Sequence, residues 1–389
     1  MSNLFQIRLA APLSAACVLS FAPRGAHAQW MLTGLNPQDA YASHAFAVRA
    51  GQQAGEAWIH GSDGMTTCAG IWGGSPQSWI SLNPAGSSQS MAFATDGTHQ
   101  AGFAYVGQVS RASLWSGTAS SWIDLNPTDA TESAAYGVDD GRQAGWVTIN
   151  GVQRASLWSG TPSSWIDLSP AGATQSIARA IVRGVQAGSA TIDGVQRAGL
   201  WTGTSASWID LSPSGASAST IQTIDGARQA GSATIDGLQR AGLWMGTSAS
   251  WIDLSPPGST GSSVEAMFGG FQAGTATYSN RPRAGVWSGS AESWEALPDF
   301  IPGGRSFRQT FATGIWSDST TLYVSGYGYD SPDYFALVWT RPIPAPSAAG
   351  LLALSGALGA RRQRRNRPVC SPTLDAWEIN LNRRTSRRD

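Results

Sequence analysis

Tryptophan recurs along this chain at a fixed interval of 43 residues. One series comprises Trp72, Trp115, Trp158, Trp201, Trp244 and Trp287, and a second comprises Trp79, Trp122, Trp165, Trp208, Trp251 and Trp294. Between these tryptophans lie short runs of strand-forming residues separated by glycine-containing turns. A strict period of about 40–50 residues with this β-rich content is typical of a β-propeller, in which each repeat forms one four-stranded blade.

The number of repeats predicts seven blades. The tryptophan of the third strand occurs seven times when Trp339 is included, and so does the glycine of the second strand. The leucine that ends the fourth strand occurs six times from Leu82 onward, and its seventh copy is Leu35, near the N-terminus. We therefore predict an all-β, seven-bladed β-propeller whose ring is closed by pairing the N-terminal strand with the last blade. Eight blades is the alternative, if Trp316 marks a degenerate extra repeat.

The segment 175–213 serves as a consensus blade. Its sequence predicts four strands, at 176–182, 185–192, 197–201 and 207–211. In the fourth strand, an alternation of period two places Trp208 and Ile209 on opposite faces. Because both faces of such a sheet are apolar, we expect the recurring tryptophans to pack between neighbouring blades. A row of aromatic side chains that stack on sugars is the alternative interpretation.

The two ends of the chain carry segments outside the repeat. Residues 1–28 contain Arg8, an apolar run and the small residues Ala26 and Ala28, which is the pattern of a signal peptide cleaved before residue 29. The repeat region, 29–341, is the expected propeller domain. We therefore expect the chain to be exported.

A C-terminal segment, 342–365, follows the propeller. It contains Pro344 and Pro346, an apolar run of 14 residues and an arginine cluster, and a basic tail at 366–389 is predicted to be disordered. The apolar run is shorter than the roughly 20 residues that span a bilayer, but the arginines after it favour a cytoplasmic end. A simple membrane tether is one interpretation of this segment.

The same C-terminal segment resembles the tripartite sorting tail of the exported bacterial surface proteins called PEP-CTERM. The resemblance implies a membrane-associated precursor that is processed by an exosortase-type transpeptidase. The chain departs from that pattern in two ways: Ala345 stands where the signature has glutamate, and 24 residues follow the arginine cluster.

Three short parts of the repeat match a known pattern. They are Gln186-Ala-Gly188, Arg197-Ala-Gly-Leu-Trp201 and Asp210-Leu211. In this order they resemble the bacterial extracellular HAF repeat, with Arg in place of His and Gly in place of Phe. The likeness covers nearly all of 30–341 and implies an exported, propeller-like protein of undefined activity, at the bacterial envelope surface or outside the cell.

Charge and composition exclude several classes of function. Residues 29–346 carry 14 Arg against 22 Asp and Glu, a net charge of about −8 by subtraction. Because a nucleic-acid interface needs a basic face, we expect no nucleic-acid partner. The sequence contains no HExxH, Ser-His-Asp or phosphate-binding glycine motif, and Cys68 is the one cysteine of the repeat region. We therefore predict no metal and no cofactor.

The similarity between repeats argues against catalysis. Segments 186–212 and 229–255 differ at two positions only, whereas an active site needs unlike residues that converge at one place. A carboxylate also recurs once per repeat, at Asp124, Asp167, Asp210 and Asp253. At that spacing the carboxylates are too far apart to share a calcium ion, so we expect them to form hydrogen bonds at strand ends. The prediction is a non-catalytic binding or structural module.

The repeat is interrupted in the first and the last blade, and these interruptions indicate the expected ligand site. The candidate residues are His60 and Asp63 in the first blade and Tyr327, Tyr329, Asp330, Asp333 and Tyr334 in the last. Aromatic faces beside carboxylates suit a carbohydrate, such as extracellular polysaccharide, or a partner protein of the envelope. A propeller enzyme, either a polysaccharide lyase or a glycoside hydrolase, is the alternative, and simple loop variation is the third possibility.

Overall fold

The computed structural model describes residues 29–61 and 64–343. Their strands form seven four-stranded antiparallel sheets, the blades of a ring, which confirms the predicted all-β, seven-bladed propeller. The helices of these residues are six 3-10 turns of three residues each, and none of them could span a bilayer. The predicted cleavage residues Ala26 and Ala28 and the tail residues Pro344 and Pro346 lie outside the described residues.

The strands of a blade follow one another along the chain, with one exception. Strand β1 (Met31–Gly34) belongs to the seventh blade, and the first blade consists of β2 (Ala40–Arg49), β3 (Gln52–Gly61), β4 (Gly64–Trp72) and β5 (Ile80–Ser81). The second blade consists of β6 (Ser87–Thr95), β7 (Gln100–Val106), β8 (Val109–Trp115) and β9 (Ile123–Asp124). The third consists of β10 (Glu132–Asp139), β11 (Arg142–Ile149), β12 (Val152–Trp158) and β13 (Ile166–Asp167).

The remaining blades repeat this order. The fourth consists of β14 (Ala173–Val182), β15 (Val185–Ile192), β16 (Val195–Trp201) and β17 (Ile209–Asp210), and the fifth of β18 (Ala216–Asp225), β19 (Arg228–Ile235), β20 (Leu238–Trp244) and β21 (Ile252–Asp253). The sixth consists of β22 (Gly261–Phe268), β23 (Phe271–Tyr278), β24 (Arg281–Trp287) and β25 (Glu295–Ala296). The seventh combines β26 (Gln309–Ser317), β27 (Thr321–Asp330) and β28 (Asp333–Pro342) with β1. The first strand of each blade is the innermost, and innermost strands of neighbouring blades contact each other around the ring.

The ring closes through the N-terminal strand, as predicted. Strand β1 pairs antiparallel with β28, and the Leu35 amide donates a hydrogen bond to the Ala336 carbonyl at 2.8 Å. The Ala336 amide in turn donates to the Ser43 hydroxyl of the first blade at 3.0 Å, which joins the last blade to the first. The alternative of eight blades is wrong, because Trp316 lies within β26, the innermost strand of the seventh blade.

The tryptophans of the third strands form the packing between blades. All seven are at most 1% exposed. Trp201 of the fourth blade, for example, lies in one apolar cluster with Leu157 and Leu168 of the third. This arrangement confirms the prediction of inter-blade packing, and it leaves no face of these rings free for a sugar.

The tryptophans of the second series are half-buried and pack against the same inter-blade clusters, as Trp208 does, but their local backbone differs from the prediction. Trp208 follows a 3-10 turn, Ser205–Ser207, and the fourth strand is only two residues long. The Ser207 hydroxyl accepts the Thr202 amide at 2.8 Å, so the chain turns where the alternation predicted a strand. The fourth strand, Ile209–Asp210, is therefore shorter than the expected 207–211, and Ile209 is 48% exposed rather than buried.

The recurring aspartates have the structural role that the sequence predicts. The Asp210 carboxylate accepts the Ser212 amide at 2.8 Å and the Arg197 guanidinium at 3.0 Å. The same two bonds recur at Asp124, Asp167 and Asp253. Each carboxylate is thus engaged within its own blade.

Candidate functional site

The innermost strand of every blade carries a β-bulge at the same point of the repeat. At a bulge, one extra residue is left out of the ladder and its side chain is redirected. The seven bulge residues, in ring order, are Phe46, Phe93, Tyr136, Arg179, Gln222, Glu265 and Thr313. Several of these side chains meet across successive blades, which places them on the inner wall of the ring, around its central channel.

Three neighbouring bulge residues form an aromatic arc, which consists of Phe46, Phe93 and Tyr136. The ring centroids of Phe46 and Phe93 lie 5.5 Å apart, and those of Phe93 and Tyr136 lie 4.8 Å apart. The arc continues outward through Phe103, whose ring lies 5.7 Å from that of Phe93, to Tyr105, 5.5 Å further. All five rings are partly exposed, unlike the buried tryptophans of the third strands.

The other four bulge residues form a polar arc, which consists of Arg179, Gln222, Glu265 and Thr313. The Gln222 amide donates to the Glu265 carboxylate at 3.2 Å, and the Ser263 hydroxyl donates to the other oxygen of Glu265 at 2.7 Å. Burial raises the pKa of Glu265, and the Ser263 hydrogen bond and the charge of Arg179 act in the opposite direction. The channel wall is therefore aromatic on one side and hydrogen-bonding on the other.

A cavity of about 550 Å³ opens where the two arcs meet, between the sixth, seventh and first blades. Its lining includes Phe46, Glu265, Phe311, Thr313 and Tyr327. It also includes both ends of the turn between β23 and β24, so the cavity lies at the face of the ring that bears the β27–β28 hairpin, here named the upper face. The volume is that of a small-ligand pocket.

Tyr327 connects the cavity to the predicted site. Burial, followed by the charges of Glu265 and Tyr334, raises the pKa of Tyr327 to about 12. The phenol therefore stays protonated at neutral pH and can both donate and accept a hydrogen bond. Its ring stacks on that of Phe311, with centroids 4.8 Å apart.

A half-buried histidine and a buried glutamate support the cavity wall. His44 Nδ1 lies 2.8 Å from Glu56 Oε1, and Glu56 is 2% exposed. The imidazole meets the edge of Tyr327 at 4.6 Å and lies 5.0 Å from the Tyr334 ring. This pair fixes the Tyr327 and Tyr334 rings against the first blade.

The predicted residues of the last blade lie together on the β27–β28 hairpin. Tyr329 and Tyr334 face each other in register, with ring centroids 5.0 Å apart. Asp330 accepts Arg305, from the insertion that precedes β26, at 3.2 Å. Asp333 lies beside Tyr41 of the first blade, and its hydrogen bond and charge raise the pKa of Tyr41. Of the five, only Tyr327 lines the cavity.

The predicted residues of the first blade are less closely associated with this hairpin. His60 is exposed near the end of β3 on the upper face, and within the described residues it makes no hydrogen bond or ring contact with the hairpin. Asp63 lies outside the described residues. The structure thus places the two interruptions on the same face of adjacent blades, without joining His60 to the cavity.

Sequence reasoning missed the bulge residues. The channel position holds Arg179 in the fourth blade, Gln222 in the fifth and Glu265 in the sixth, spaced by the same 43 residues as the tryptophans. A position that changes chemical character in each repeat, beside segments that do not change, was the available signal. The bulge itself hides it, because one extra residue breaks the alternation that assigns faces.

Comparisons with known proteins return only distant folds. No protein-family model and no curated protein matches the chain. The solved structures that resemble it include the β-propeller domain of the Trilobed protease from Pyrococcus furiosus, at 9% identity and a TM-score of 0.48, covering 79% of this chain and 97% of that one. TolB from Acinetobacter baumannii matches at 11% identity and a TM-score of 0.42, over 67% of each chain.

A Trypanosoma rangeli sialidase in complex with sialic acid also matches, at 11% identity and a TM-score of 0.36, over 89% of this chain and 62% of that one. These are likenesses of fold alone. Among the described residues, no group of three or more acidic, histidine or cysteine side chains could hold a metal ion. The function therefore has to be argued from the chemistry of the channel.

Proposed function

We propose that this protein is an exported, non-catalytic binding module that holds an extracellular polysaccharide at the upper mouth of its channel. The observation that carries the proposal is the aromatic arc facing the polar arc beside an open cavity. Aromatic rings with partly exposed faces can stack against the apolar C–H face of a sugar, since each ring face carries partial negative charge. The opposite arc offers an amide, a carboxyl and hydroxyls for the sugar's hydroxyl groups.

The channel wall has an aromatic side and a polar side, which fits a ligand that has both an apolar and a polar surface. Binding pockets are mostly apolar, with a few polar groups that fix orientation. Here Phe46 and Phe311 supply apolar surface, and Glu265, Thr313 and Tyr327 supply the polar groups. A flat sugar ring with equatorial hydroxyls has the same combination of surfaces.

A polysaccharide lyase or glycoside hydrolase is the second candidate, and one observation favours it. Glu265 combines a raised pKa with a position at the cavity wall, and raising the pKa of a carboxyl group suits it to act as a general acid. The two candidates differ in turnover. Retention of an intact glycan supports the binding module, and new reducing ends or unsaturated products that disappear in Glu265→Gln support the enzyme.

The site is tested with a glycan array probed by the full chain. We expect Phe46→Ala and Phe93→Ala to abolish glycan retention, because they remove stacking surface in the cavity and directly beside it. Ile209→Ala, an exposed side chain on an outer strand, is the matched control and should bind as the wild type does. Undiminished retention by both aromatic variants would overturn the choice of site, and Tyr329→Ala shows whether the hairpin takes part.

Export and anchoring are proposed on the terminal segments. The signal-peptide pattern of 1–28 and the PEP-CTERM-like segment at 342–365 support secretion, followed by display at or release from the cell envelope. Mass spectrometry of the protein recovered from its natural host tests this. A mature chain that begins at Gln29 and lacks 361–389 supports export with processing, and a mass that retains both ends contradicts it.

A further inference from the structure

The arginine of the polar arc is bonded differently from the arginines of the third strands. Four of these third-strand arginines, at the same position of successive repeats, each bond an aspartate of their own blade at 2.8–3.0 Å: Arg111, Arg154, Arg197 and Arg240. Arg179 has no such partner: within the described residues no carboxylate lies within 4.0 Å of its guanidinium group. Its guanidinium lies 5.5 Å from the centroid of the Tyr136 ring, on the channel wall.

The nearest acidic group on the wall does not neutralise Arg179 by contact. The two carboxylate oxygens of Glu265 accept Ser263 and Gln222 instead. A guanidinium group on the wall of a channel, held on an aromatic face and with no carboxylate in contact, is available to bind an anion. Its planar donors match a carboxylate, which can accept two parallel hydrogen bonds.

We infer that the channel is selective for an acidic sugar, and that Arg179 binds the carboxylate of a uronic acid residue whose ring stacks on Tyr136 and Phe93. This inference rests on the proposed function and names its ligand class. The aromatic and cationic groups adjoin, since Tyr136 contacts both Phe93 and Arg179. A sugar on the aromatic arc can therefore direct the carboxylate attached to its ring towards Arg179.

The net charge of the repeat region, rather than that of the neutral full chain, bears on this selectivity. Residues 29–346 have a net charge of about −8 from 14 Arg and 22 acidic residues, so the long-range field repels a polyanion. A preference for acidic glycans can then arise only from a local contact. The other six bulge residues are uncharged or acidic, so Arg179 is the one basic residue among the seven.

The test compares ligands that differ only in the acidic group. An oligosaccharide of uronic acid, its carboxyl-reduced neutral form and a sulfated form of that neutral sugar are titrated by calorimetry into the full chain. We expect the wild type to bind the uronic acid form about ten- to a hundredfold more tightly than the neutral form, the range for hydrogen bonds to a charged group. Sulfated sugar bound as tightly as the uronic acid form would overturn the assignment to a carboxylate.

The variants isolate the arginine. Arg179→Gln installs the residue that the fifth blade carries at this position, Gln222, so the repeat accommodates it. We expect this variant to bind both sugars equally, and Arg183→Gln, an exposed arginine on the following turn, to keep the wild-type preference. A preference that survives in Arg179→Gln, or equal binding of both sugars by the wild type, would refute the inference and leave the proposed function standing. Binding of no sugar at all would refute both.

Discussion

The outer three strands of the fourth and fifth blades resemble each other far more closely than the innermost strands of the same two blades. Segments 186–212 and 229–255 differ at two of 27 positions. The innermost strands, 173–182 and 216–225, differ at seven of ten. The two segments of each pair occupy equivalent places in their blades. Residues that are the same in both blades therefore meet the same neighbours, and residues that differ meet different ones.

The unchanged positions have identical structural tasks. Gln186 and Gln229 both accept a turn amide, from Gly203 at 2.9 Å and Gly246 at 2.8 Å. On the innermost strand, one of the positions that stay the same is Ser176, which accepts the Ala155 amide of the preceding blade as the serine of the next blade does. The positions that change include the bulge. Positions that repeat from blade to blade thus identify the structural framework, here named the scaffold. Positions that do not repeat identify the channel wall.

The largest expected effect lies in the scaffold. Trp201→Ala empties a fully buried site between two blades, and we expect a loss of about 3–5 kcal/mol in stability. Chemical denaturation followed by circular dichroism measures it. A change within about 0.5 kcal/mol, the range of ordinary surface substitutions, would contradict the role of this ring as inter-blade packing.

The next prediction compares two contacts between blades: the closure seam, between the seventh and first blades, and the seam between the fourth and fifth blades. Ser43→Ala leaves the Ala336 amide without its acceptor, and Ser219→Ala does the same to the Ala198 amide. Each change should cost about 1–3 kcal/mol, the range for an unsatisfied buried donor. The two costs should be equal in denaturation experiments. A much smaller cost for Ser43→Ala would mean that the closure seam is weaker than the seams between consecutive blades.

A smaller effect is expected at the third-strand position that is glycine in some blades and serine in others. Gly199 lies under the Trp208 ring, and a Cβ there would come within 2.2 Å of the ring and 2.5 Å of the Ile209 carbonyl oxygen. The second blade has Ser113 at the equivalent position, and the Trp122 indole donates to its hydroxyl at 2.8 Å. We therefore expect Gly199→Ser to cost less than about 1 kcal/mol, because Trp208 can adopt the arrangement of Trp122 and gain that bond.

The matched variant for Gly199→Ser lies on the second strand. At Gly188→Ser, the new Cβ would meet the backbone carbonyl of Ile177 at 2.0 Å, and no side chain can move to relieve this contact. We expect this variant to be clearly less stable than Gly199→Ser by thermal unfolding. Equal midpoints would contradict the distinction between a position where another blade carries serine and one where every blade carries glycine.

The smallest effect is the pH dependence of the channel wall. The fold raises the pKa of Glu265 above its ordinary value of 4.5, so the folded chain holds this proton more tightly than the unfolded chain does. Wild-type stability should therefore fall, relative to Glu265→Gln, as the pH rises above 4.5 through the raised pKa. Thermal midpoints across this range measure the difference, and parallel curves would contradict it.

The scaffold provides a control of opposite sign. Burial tends to raise the pKa of Asp253, but hydrogen bonds from Ser255 and Arg240 outweigh this and lower it. Stability from Asp253 is present above the unfolded pKa and is lost as the pH falls through the folded value. Asp253→Asn should therefore differ from the wild type most at neutral pH and least in acid.

The sequence predicts the scaffold well because its constraints are periodic. The seven blades, the N-terminal strand that closes them and the strand-end role of Asp210 all follow from spacing. The short fourth strand does not, since the hydroxyl of Ser207 forms a turn where alternation suggests a strand. Neither does the channel wall, because Arg179 and Glu265 lie 86 residues apart in the sequence and line the same channel only through the arrangement of blades and the bulge.

The comparison between scaffold and wall can be tested by exchanging segments within the chain. One variant receives the innermost strand of the fifth blade, 216–225, in place of 173–182, and the other receives 229–255 in place of 186–212. The first changes Arg179 to glutamine with six other positions, and the second changes only Val195 and Thr202. Thermal unfolding confirms that each variant folds.

Affinity for the uronic acid oligosaccharide is then the decisive measurement. The account predicts that the exchange of the innermost strand weakens binding at least about tenfold, and that the exchange of the outer strands leaves it unchanged. Loss of binding from the outer exchange, or full affinity after the inner one, would contradict the claim that the non-repeating channel wall is the functional surface.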